Sequence, residues 1–118
     1  MIFQPIGEAG EAFAAVDDIL AVPGLDSVVL VPYDLSGSLG LLGQVEHPTG
    51  VAALEHVIAR AKAAGKFVGS GMGPDPDYAV RMARRGVQWV QVGGDYGYMI
   101  NYMDHINRRV QALLGGQA

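Results

Sequence analysis

Two acidic side chains, Glu8 and Asp34, each follow an apolar segment that is typical of a β-strand. If the two strands are neighbours in a parallel sheet, about 4.8 Å apart, both carboxylates can reach one point beyond the strand ends. Two carboxylates and several waters form an ordinary Mg²⁺ or Mn²⁺ site, because these hard cations prefer oxygen ligands. The alternative is that each carboxylate only caps the helix after its strand, as acidic residues at helix N-termini commonly do. The spacing of these residues in the sequence, taken alone, favours the second interpretation, in which each carboxylate caps a helix.

Two glycine-rich segments also stand at strand ends, at residues 69–73 (GSGMG) and 93–95 (GGD). The first lacks the third glycine of a dinucleotide fingerprint, where Pro74 stands, and the Lys-Ser/Thr pair of a phosphate-binding loop. It therefore predicts a tight strand-to-helix turn, with nucleotide binding as a weaker alternative.

The three histidines are too far apart in sequence to indicate a metal cluster. His56 and His105 are expected on helix surfaces or at an interface. His47 stands beside Pro48, where packing at the start of a helix is favoured over contact with a ligand. The chain has no cysteine and no G-x-S-x-G motif, so nucleophilic acyl transfer has no support.

The elements that would position these residues alternate strictly between strand and helix. The apolar patterns predict strands at residues 2–7, 27–31, 67–72 and 87–93, and helices at residues 9–20, 48–64, 76–85 and through 99–113. A long glycine-bearing loop, residues 37–50, is expected to be functional or contact-forming.

Strict alternation predicts a parallel sheet with right-handed crossovers. Two architectures satisfy it, a small open doubly wound sheet and one half of a (β/α)₈ barrel, and periodicity does not choose between them. The 118 residues suit a single domain, because a complete barrel needs about 250. In both architectures ligands bind beyond the carboxyl ends of the strands.

Composition excludes several classes of function. The net charge of −4 and the lack of a Lys/Arg run argue against a nucleic-acid or anionic-membrane surface. No apolar run approaches the roughly 20 residues of a membrane span, and no basic segment follows Met1 as in a secretory signal. The lack of cysteine suits a reducing cytoplasm.

Four segments carry a close resemblance to the C-terminal half of the HpcH/HpaI aldolase/citrate lyase family. They are AVPGLDSVVLVPYDLSGSLG at residues 21–40, GQVEHP at 43–48, AAGKFVG at 63–69 and RRGVQWVQVGGD at 84–95. The usual family form is a Gly-Val/Leu-Asp segment, a hydrophobic strand, Gly-Pro-x-Asp-Leu-Ser and a later His-Pro. The resemblance implies that residues 1–118 form a (βα)₄ half of a (β/α)₈ barrel, with parallel strands inside and helices outside.

The resemblance also implies an activity. Members of this family are carbon–carbon lyases that use a divalent metal, Mg²⁺ or Mn²⁺, to stabilise the enolate of pyruvate or a similar 2-oxo acid during aldol cleavage. The implied metal ligands are Asp34, in the Pro-x-Asp-Leu-Ser motif, and an acid after the preceding strand, most plausibly Glu8. Pro32 and the backbone N–H of Tyr33 would face the substrate carboxylate. Gln4 would join them if the first strand contains an insertion.

Departures from the family form leave an alternative open. Val31 stands where the family has glycine and is expected to crowd the carboxylate pocket. The first four strands have no counterpart, and with them the family's acid/base histidine and carboxylate-binding arginine. A noncatalytic half-barrel scaffold that keeps the metal site is therefore the second hypothesis. Exposed sheet edges and an aromatic, Met-rich last helix predict a homo-oligomer of even number.

Overall fold

Short runs of apolar residues form four parallel strands of one sheet. The computed structural model describes residues 6–7 and 13–115 of the chain. Within them the strands are β1 Ile6–Gly7, β2 Ser27–Leu30, β3 Phe67–Met72 and β4 Trp89–Val92. Their order in the sheet is β1-β2-β3-β4, the order of the chain.

Five helices connect or follow these strands in the described part of the chain. They are α1 Val16–Leu20, α2 Pro32–Ser38, α3 Pro48–Ala63, α4 Pro76–Arg85 and α5 Asp95–Gly115. The short helix α2 was not predicted from the sequence. None of the described helices combines the length and apolar character needed to cross a membrane.

The strand order bears on the two architectures that periodicity left open. A doubly wound sheet reverses its strand order at a switch point. Here each described strand pairs in parallel with the next one along the chain, with Ile6 beside Val29, Val29 beside Gly69 and Gly69 beside Trp89. Right-handed crossovers between successive neighbours place the helices on one face of the sheet. The fold is α/β with a parallel sheet, and its described strands contain no reversal.

The hydrophobic core lies between this sheet and the helices. Alternate residues of a strand point to opposite faces, so Val28 and Leu30 of β2 share the helix-facing side, as does Val68 of β3. The buried cluster around them draws on all the helices except α5, with Val16, Leu20, Leu35, Leu54, Val57, Ile58, Ala61, Tyr78 and Met82 among its members.

A single tryptophan covers part of the opposite face. The Trp89 indole crosses β3 at Gly69, where an added Cβ would meet the ring, and its Nε1–H donates to the Ser27 hydroxyl at 3.4 Å. This close approach of an aromatic ring to the backbone requires glycine at position 69.

Local signals at helix ends behave as the sequence predicts. Asp75 caps α4 by accepting a hydrogen bond from the Tyr78 N–H at 2.9 Å, and the left-handed Gly86 follows the last turn. The His47 Nδ1 accepts a hydrogen bond from the Thr49 N–H at 3.3 Å. His47 therefore lies at the start of α3, the position that the sequence favours over contact with a ligand. His56 and His105 are exposed.

Several predicted boundaries are corrected. The fourth strand begins at Trp89 rather than at residue 87, because the N–H groups of Gly86 and Val87 still donate to carbonyls in the last turns of α4. Most of GSGMG belongs to β3, which ends at Met72, so only its last residue lies in the predicted turn. The predicted helix 9–20 is regular over Val16–Leu20, after a helical turn at residues 13–14, and residues 8–12 lie outside the described part.

Candidate active site

A cavity of about 520 Å³ opens at the carboxyl ends of the strands, on the face that carries Trp89. Its inner wall includes Val29, Gly71 and Gln91, from three adjacent strands, and its rim includes Tyr33 and Asp34. Both architectures considered from the sequence place a ligand at this edge of the sheet. The cavity is therefore the candidate site.

Helix α2 sets the position of Asp34. Val31 is the residue before the helix, Pro32 opens it, and the Leu35 N–H makes its first bond, to the Val31 carbonyl at 3.0 Å. Asp34 lies inside the first turn, and α2 has no side-chain cap. Asp34 therefore makes no cap hydrogen bond, although a carboxylate in the first turn still interacts favourably with the helix N-terminus, as the alternative interpretation holds.

The Asp34 carboxylate is available to a ligand. It is exposed at the cavity and, among the residues that the structure describes, it has no hydrogen-bond or ion-pair partner. It is also the only charged side chain among the described residues that line the cavity. An unpaired carboxylate at the mouth of an otherwise neutral cavity attracts a cation.

The start of α2 also supplies free backbone donors. The first N–H groups of a helix have no partner within it, and Pro32 has no N–H at all. The Val31 side chain cannot accept a hydrogen bond, which leaves the N–H groups of Tyr33 and Asp34 without an acceptor in the described structure. Two such donors beside a cation site suit an anionic group of a ligand.

Ser36 holds this helix against the following loop. Its buried hydroxyl donates to the Tyr33 carbonyl at 2.6 Å and accepts from the Gly43 N–H at 2.9 Å. A Cβ at Gly43 would lie 3.9 Å from the Tyr33 ring, so the loop passes along one side of Tyr33. The sequence reasoning missed this role, although Ser36 lies in the Pro-x-Asp-Leu-Ser motif.

The far end of the same loop is fixed by charge. Glu46 accepts hydrogen bonds from Arg85 at 2.7 Å and from Arg81 at 3.0 Å. The bond from Arg85 is the main cause that lowers the pKa of Glu46 below its usual value. Arg81 also lies over the Tyr78 ring at 5.2 Å. Burial of Tyr78, followed by the charge of Glu46, raises its pKa to about 12.

The structure brings together three of the five predicted site residues. Pro32, Tyr33 and Asp34 lie at the start of α2, with Pro32 buried and Tyr33 57% exposed. Gln4 and Glu8 lie outside the described residues.

The cavity also contains groups that sequence reasoning did not select. Gln91 and Tyr96 line it, and so does Val31. Strand alternation was the available signal for Gln91, because it shares a face with Trp89 two residues earlier.

The described residues alone do not form a multidentate metal site. They contain no group of three or more His, Cys, Asp or Glu side chains placed to hold a metal. Asp34 offers the hard oxygen that Mg²⁺ and Mn²⁺ prefer, and these ions keep several waters when few protein ligands are present. The donor chemistry of Asp34 fits such a cation.

Comparison with known proteins assigns the family. The family model described as HpcH/HpaI aldolase/citrate lyase matches residues 6–102. The chain belongs to the HpcH/HpaI family. The resemblance stated from the four sequence segments is thereby confirmed.

Curated relatives within the HpcH/HpaI family carry aldolase names. The chain is 40% identical over 88 residues to a pyruvate aldolase of Rhizobium etli, an alignment that covers 75% of this chain and 34% of the relative. It is 42% identical over 82 residues to a 5-keto-4-deoxy-D-glucarate aldolase of Escherichia fergusonii, with coverage of 70% and 32%. The chain thus spans about a third of the length of these relatives.

Solved structures of the HpcH/HpaI family share the fold. A family protein from Burkholderia cenocepacia superposes with a TM-score of 0.87 at 28% identity, over 94% of this chain and 43% of that one. An HpcH/HpaI aldolase from Desulfitobacterium hafniense gives 0.86 at 30% identity, over 93% and 42%. The chain matches less than half of each structure.

Proposed function

We propose that the chain is the C-terminal half of a (β/α)₈ barrel and forms the metal-binding part of a carbon–carbon lyase that acts on 2-oxo acids. The observation that carries the proposal is the unpaired Asp34 carboxylate at the cavity, inside the Pro-x-Asp-Leu-Ser motif. The sequential parallel strand order, and superposition on somewhat under half of longer family structures, support the half barrel. The names of the aldolase relatives support the reaction class.

Asp34 and Glu8 would hold the divalent metal, Mg²⁺ or Mn²⁺. Glu8 follows Gly7, the last residue of β1, and Gly7 pairs with Leu30, the last residue of β2. The two strands are therefore neighbours that end at the same level, as the two-carboxylate hypothesis requires. When bound, the cation polarises the carbonyl of a 2-oxo acid and favours loss of a proton from the adjacent carbon.

The chain's own groups bind and orient the substrate. The N–H groups of Tyr33 and Asp34 donate to the carboxylate of pyruvate or a related 2-oxo acid, and Pro32 fixes the backbone that presents them. Val31 limits the space beside this carboxylate, and Gln4 is assigned to the same pocket. The described residues of the cavity include no histidine or lysine, and we assign proton transfer in the isolated chain to water.

Deuterium exchange into pyruvate tests the proposal. The full chain is incubated with pyruvate and Mg²⁺ in D₂O, and the methyl signal is followed by NMR. We expect exchange above the buffer rate that Asp34→Asn reduces at least tenfold, because the variant keeps the shape of the side chain but loses its charge. Asp18→Asn, an exposed aspartate in α1, is the matched control and should exchange like the unmodified chain.

Two results would count against the proposal in different ways. A chain that exchanges no faster than buffer argues against catalysis, and exchange unaffected by Asp34→Asn argues against this site. Retained metal binding after loss of both the Glu8 and Asp34 carboxylates would also exclude the site.

A noncatalytic scaffold is the second candidate. It is favoured by Val31, which lines the cavity beside the start of α2, where a branched side chain limits the space for a substrate carboxylate. Under this hypothesis Mg²⁺ or Mn²⁺ binds with Asp34-dependent affinity, but pyruvate does not exchange.

We also propose that the 118-residue chain assembles as a homo-oligomer of even number. Helix α5 buries none of its residues, and it exposes an apolar stripe of Met99, Met103, Ile106, Val110 and Leu113. Water contact along such a stripe is unfavourable, so a second copy that covers it lowers the free energy. Light scattering after size exclusion measures the mass, and a well-folded monomer would contradict the assembly.

The absence of cysteine is in keeping with a cytoplasmic location.

A further inference from the structure

The inner wall of the cavity carries one polar side chain from the described strands. Gln91 lies on β4 in register with Gly71 of β3, and both residues line the cavity. A Cβ at Gly71 would meet no atom within 4 Å, so the space beside Gln91 is open. Val29 of β2 and Val31, just after that strand, make the rest of this wall apolar.

The Gln91 amide has weak support from the protein. In the described structure its Nε2–H donates to the Gly93 carbonyl at 3.5 Å, the long limit of a hydrogen bond. The side chain is exposed to the cavity rather than packed in the core. Its second amide N–H and its carbonyl oxygen are therefore available to a ligand, and the first N–H is held only by this long bond.

The distance from Asp34 indicates which part of a ligand Gln91 meets. Asp34 follows β2 and Gln91 belongs to β4, so two strand spacings, about 10 Å, separate their strands. A ligand anchored at Asp34 through its 2-oxo acid group would extend its remaining carbon chain across Gly71 towards Gln91.

We propose that Gln91 is a specificity-determining residue that hydrogen-bonds an oxygen atom on the substrate chain beyond carbon 3. The inference rests on the proposed binding of 2-oxo acids at Asp34. Gln91 selects substrates whose distal chain bears a hydroxyl or carboxylate oxygen over substrates with an alkyl chain, because an unpaired amide that faces an alkyl group loses a hydrogen bond to water.

Binding of three 2-oxo acids tests the inference without turnover. Pyruvate has no distal chain, 2-oxopentanoate has an alkyl chain, and 2-oxoglutarate has the same five carbons with a distal carboxylate. None has a hydroxyl at carbon 4, so none can undergo aldol cleavage. Affinities are measured by calorimetry at saturating Mg²⁺ for the full chain, for Gln91→Leu and for Gln111→Leu, an exposed glutamine of α5 that serves as the matched control.

We expect Gln91→Leu to reduce the preference for 2-oxoglutarate over 2-oxopentanoate about tenfold and to leave pyruvate binding unchanged. Gln111→Leu should change neither. If circular dichroism shows that Gln91→Leu is misfolded, Gln91→Ala replaces it, with the same expectation.

The outcomes separate the two proposals. Pyruvate binding with an unchanged preference in the Gln91 variant overturns the role of Gln91 alone. Absence of pyruvate binding to the unmodified chain overturns the proposed 2-oxo acid site, and the role of Gln91 with it.

Discussion

Replacement of Gly69 by alanine should move the only tryptophan of the chain. A Cβ at position 69 would lie 2.0 Å and 2.1 Å from two carbons of the Trp89 ring, whereas carbon atoms in contact prefer about 3.5–4.0 Å. The ring must therefore retreat by about 1.5 Å. Its Nε1–H already reaches the Ser27 hydroxyl at a long 3.4 Å, so this hydrogen bond breaks.

The expected loss of stability combines three effects. Overpacking costs about 1–3 kcal/mol and the lost hydrogen bond about 1 kcal/mol. The reduced entropy of the unfolded chain on Gly→Ala replacement returns about 0.4–1 kcal/mol. The free energy of unfolding of Gly69→Ala should therefore fall by about 2 kcal/mol.

Urea unfolding, followed by Trp89 fluorescence and far-ultraviolet circular dichroism at fixed protein concentration, measures this change. The folded variant should also emit at longer wavelength, because the displaced indole contacts more water. Gly71→Ala is the matched control on the same strand, since its Cβ meets no atom within 4 Å. An unfolding free energy of Gly69→Ala within about 0.5 kcal/mol of the unmodified chain, with an unchanged emission maximum, would refute the packing argument.

Two further replacements test the surroundings of the cavity. Tyr78→Phe should stabilise the chain by about 1 kcal/mol at pH 7, because the buried Tyr78 hydroxyl has no hydrogen-bond partner among the described residues. The folded-state pKa of Tyr78, about 12, lies above its ordinary value of 10.0, so the folded state favours the neutral hydroxyl. Through this group the free energy of unfolding does not change below pH 10, and it falls as pH rises from 10 to 12. Urea unfolding measured as a function of pH should show this fall in the free energy of unfolding for the unmodified chain and a smaller fall for Tyr78→Phe. Equal falls would contradict the assignment of the pH dependence to Tyr78. Ser36→Ala should cost about 1–3 kcal/mol and speed hydrogen exchange at the Gly43 amide, while Ser38→Ala, a more exposed serine of the same helix, should leave that amide protected.

Elements with local signals could be predicted from the sequence. Helix α4 carries its own start and stop, because Asp75 and Pro76 favour its first turn and Gly86 accepts the left-handed conformation after its last. The strands β2 and β3 could also be predicted from local sequence, because a buried strand requires β-branched or small apolar residues along its length.

Contacts between distant segments could not be predicted in this way. The approach of Trp89 to Gly69 and Ser27 depends on the register of strands that are far apart in the chain, which no local pattern contains. Helix α2 was missed because its seven residues include Gly37 and show no amphipathic period, and its stability comes from burial of Leu35 in the core.

The candidate site was predictable to the extent that it is local. Pro32, Tyr33 and Asp34 are consecutive, so any structure that places one at the cavity brings the others close to it. Strand alternation could place Gln91 on the same face as Trp89, but its position beside Gly71 follows from the parallel register of β3 and β4.

The contacts that shape the Asp34 end of the cavity lie within the chain itself. Ser36 ties α2 to Gly43, and Glu46 ties the same loop to α4 through Arg85, so contacts among the described residues hold the backbone that presents Asp34. The described cavity residues include no histidine or lysine, and the proposed function assigns proton transfer to water. Under the proposed function, binding and turnover can therefore be measured separately: calorimetry follows binding of the cation and the 2-oxo acid at Asp34, and deuterium exchange follows proton transfer.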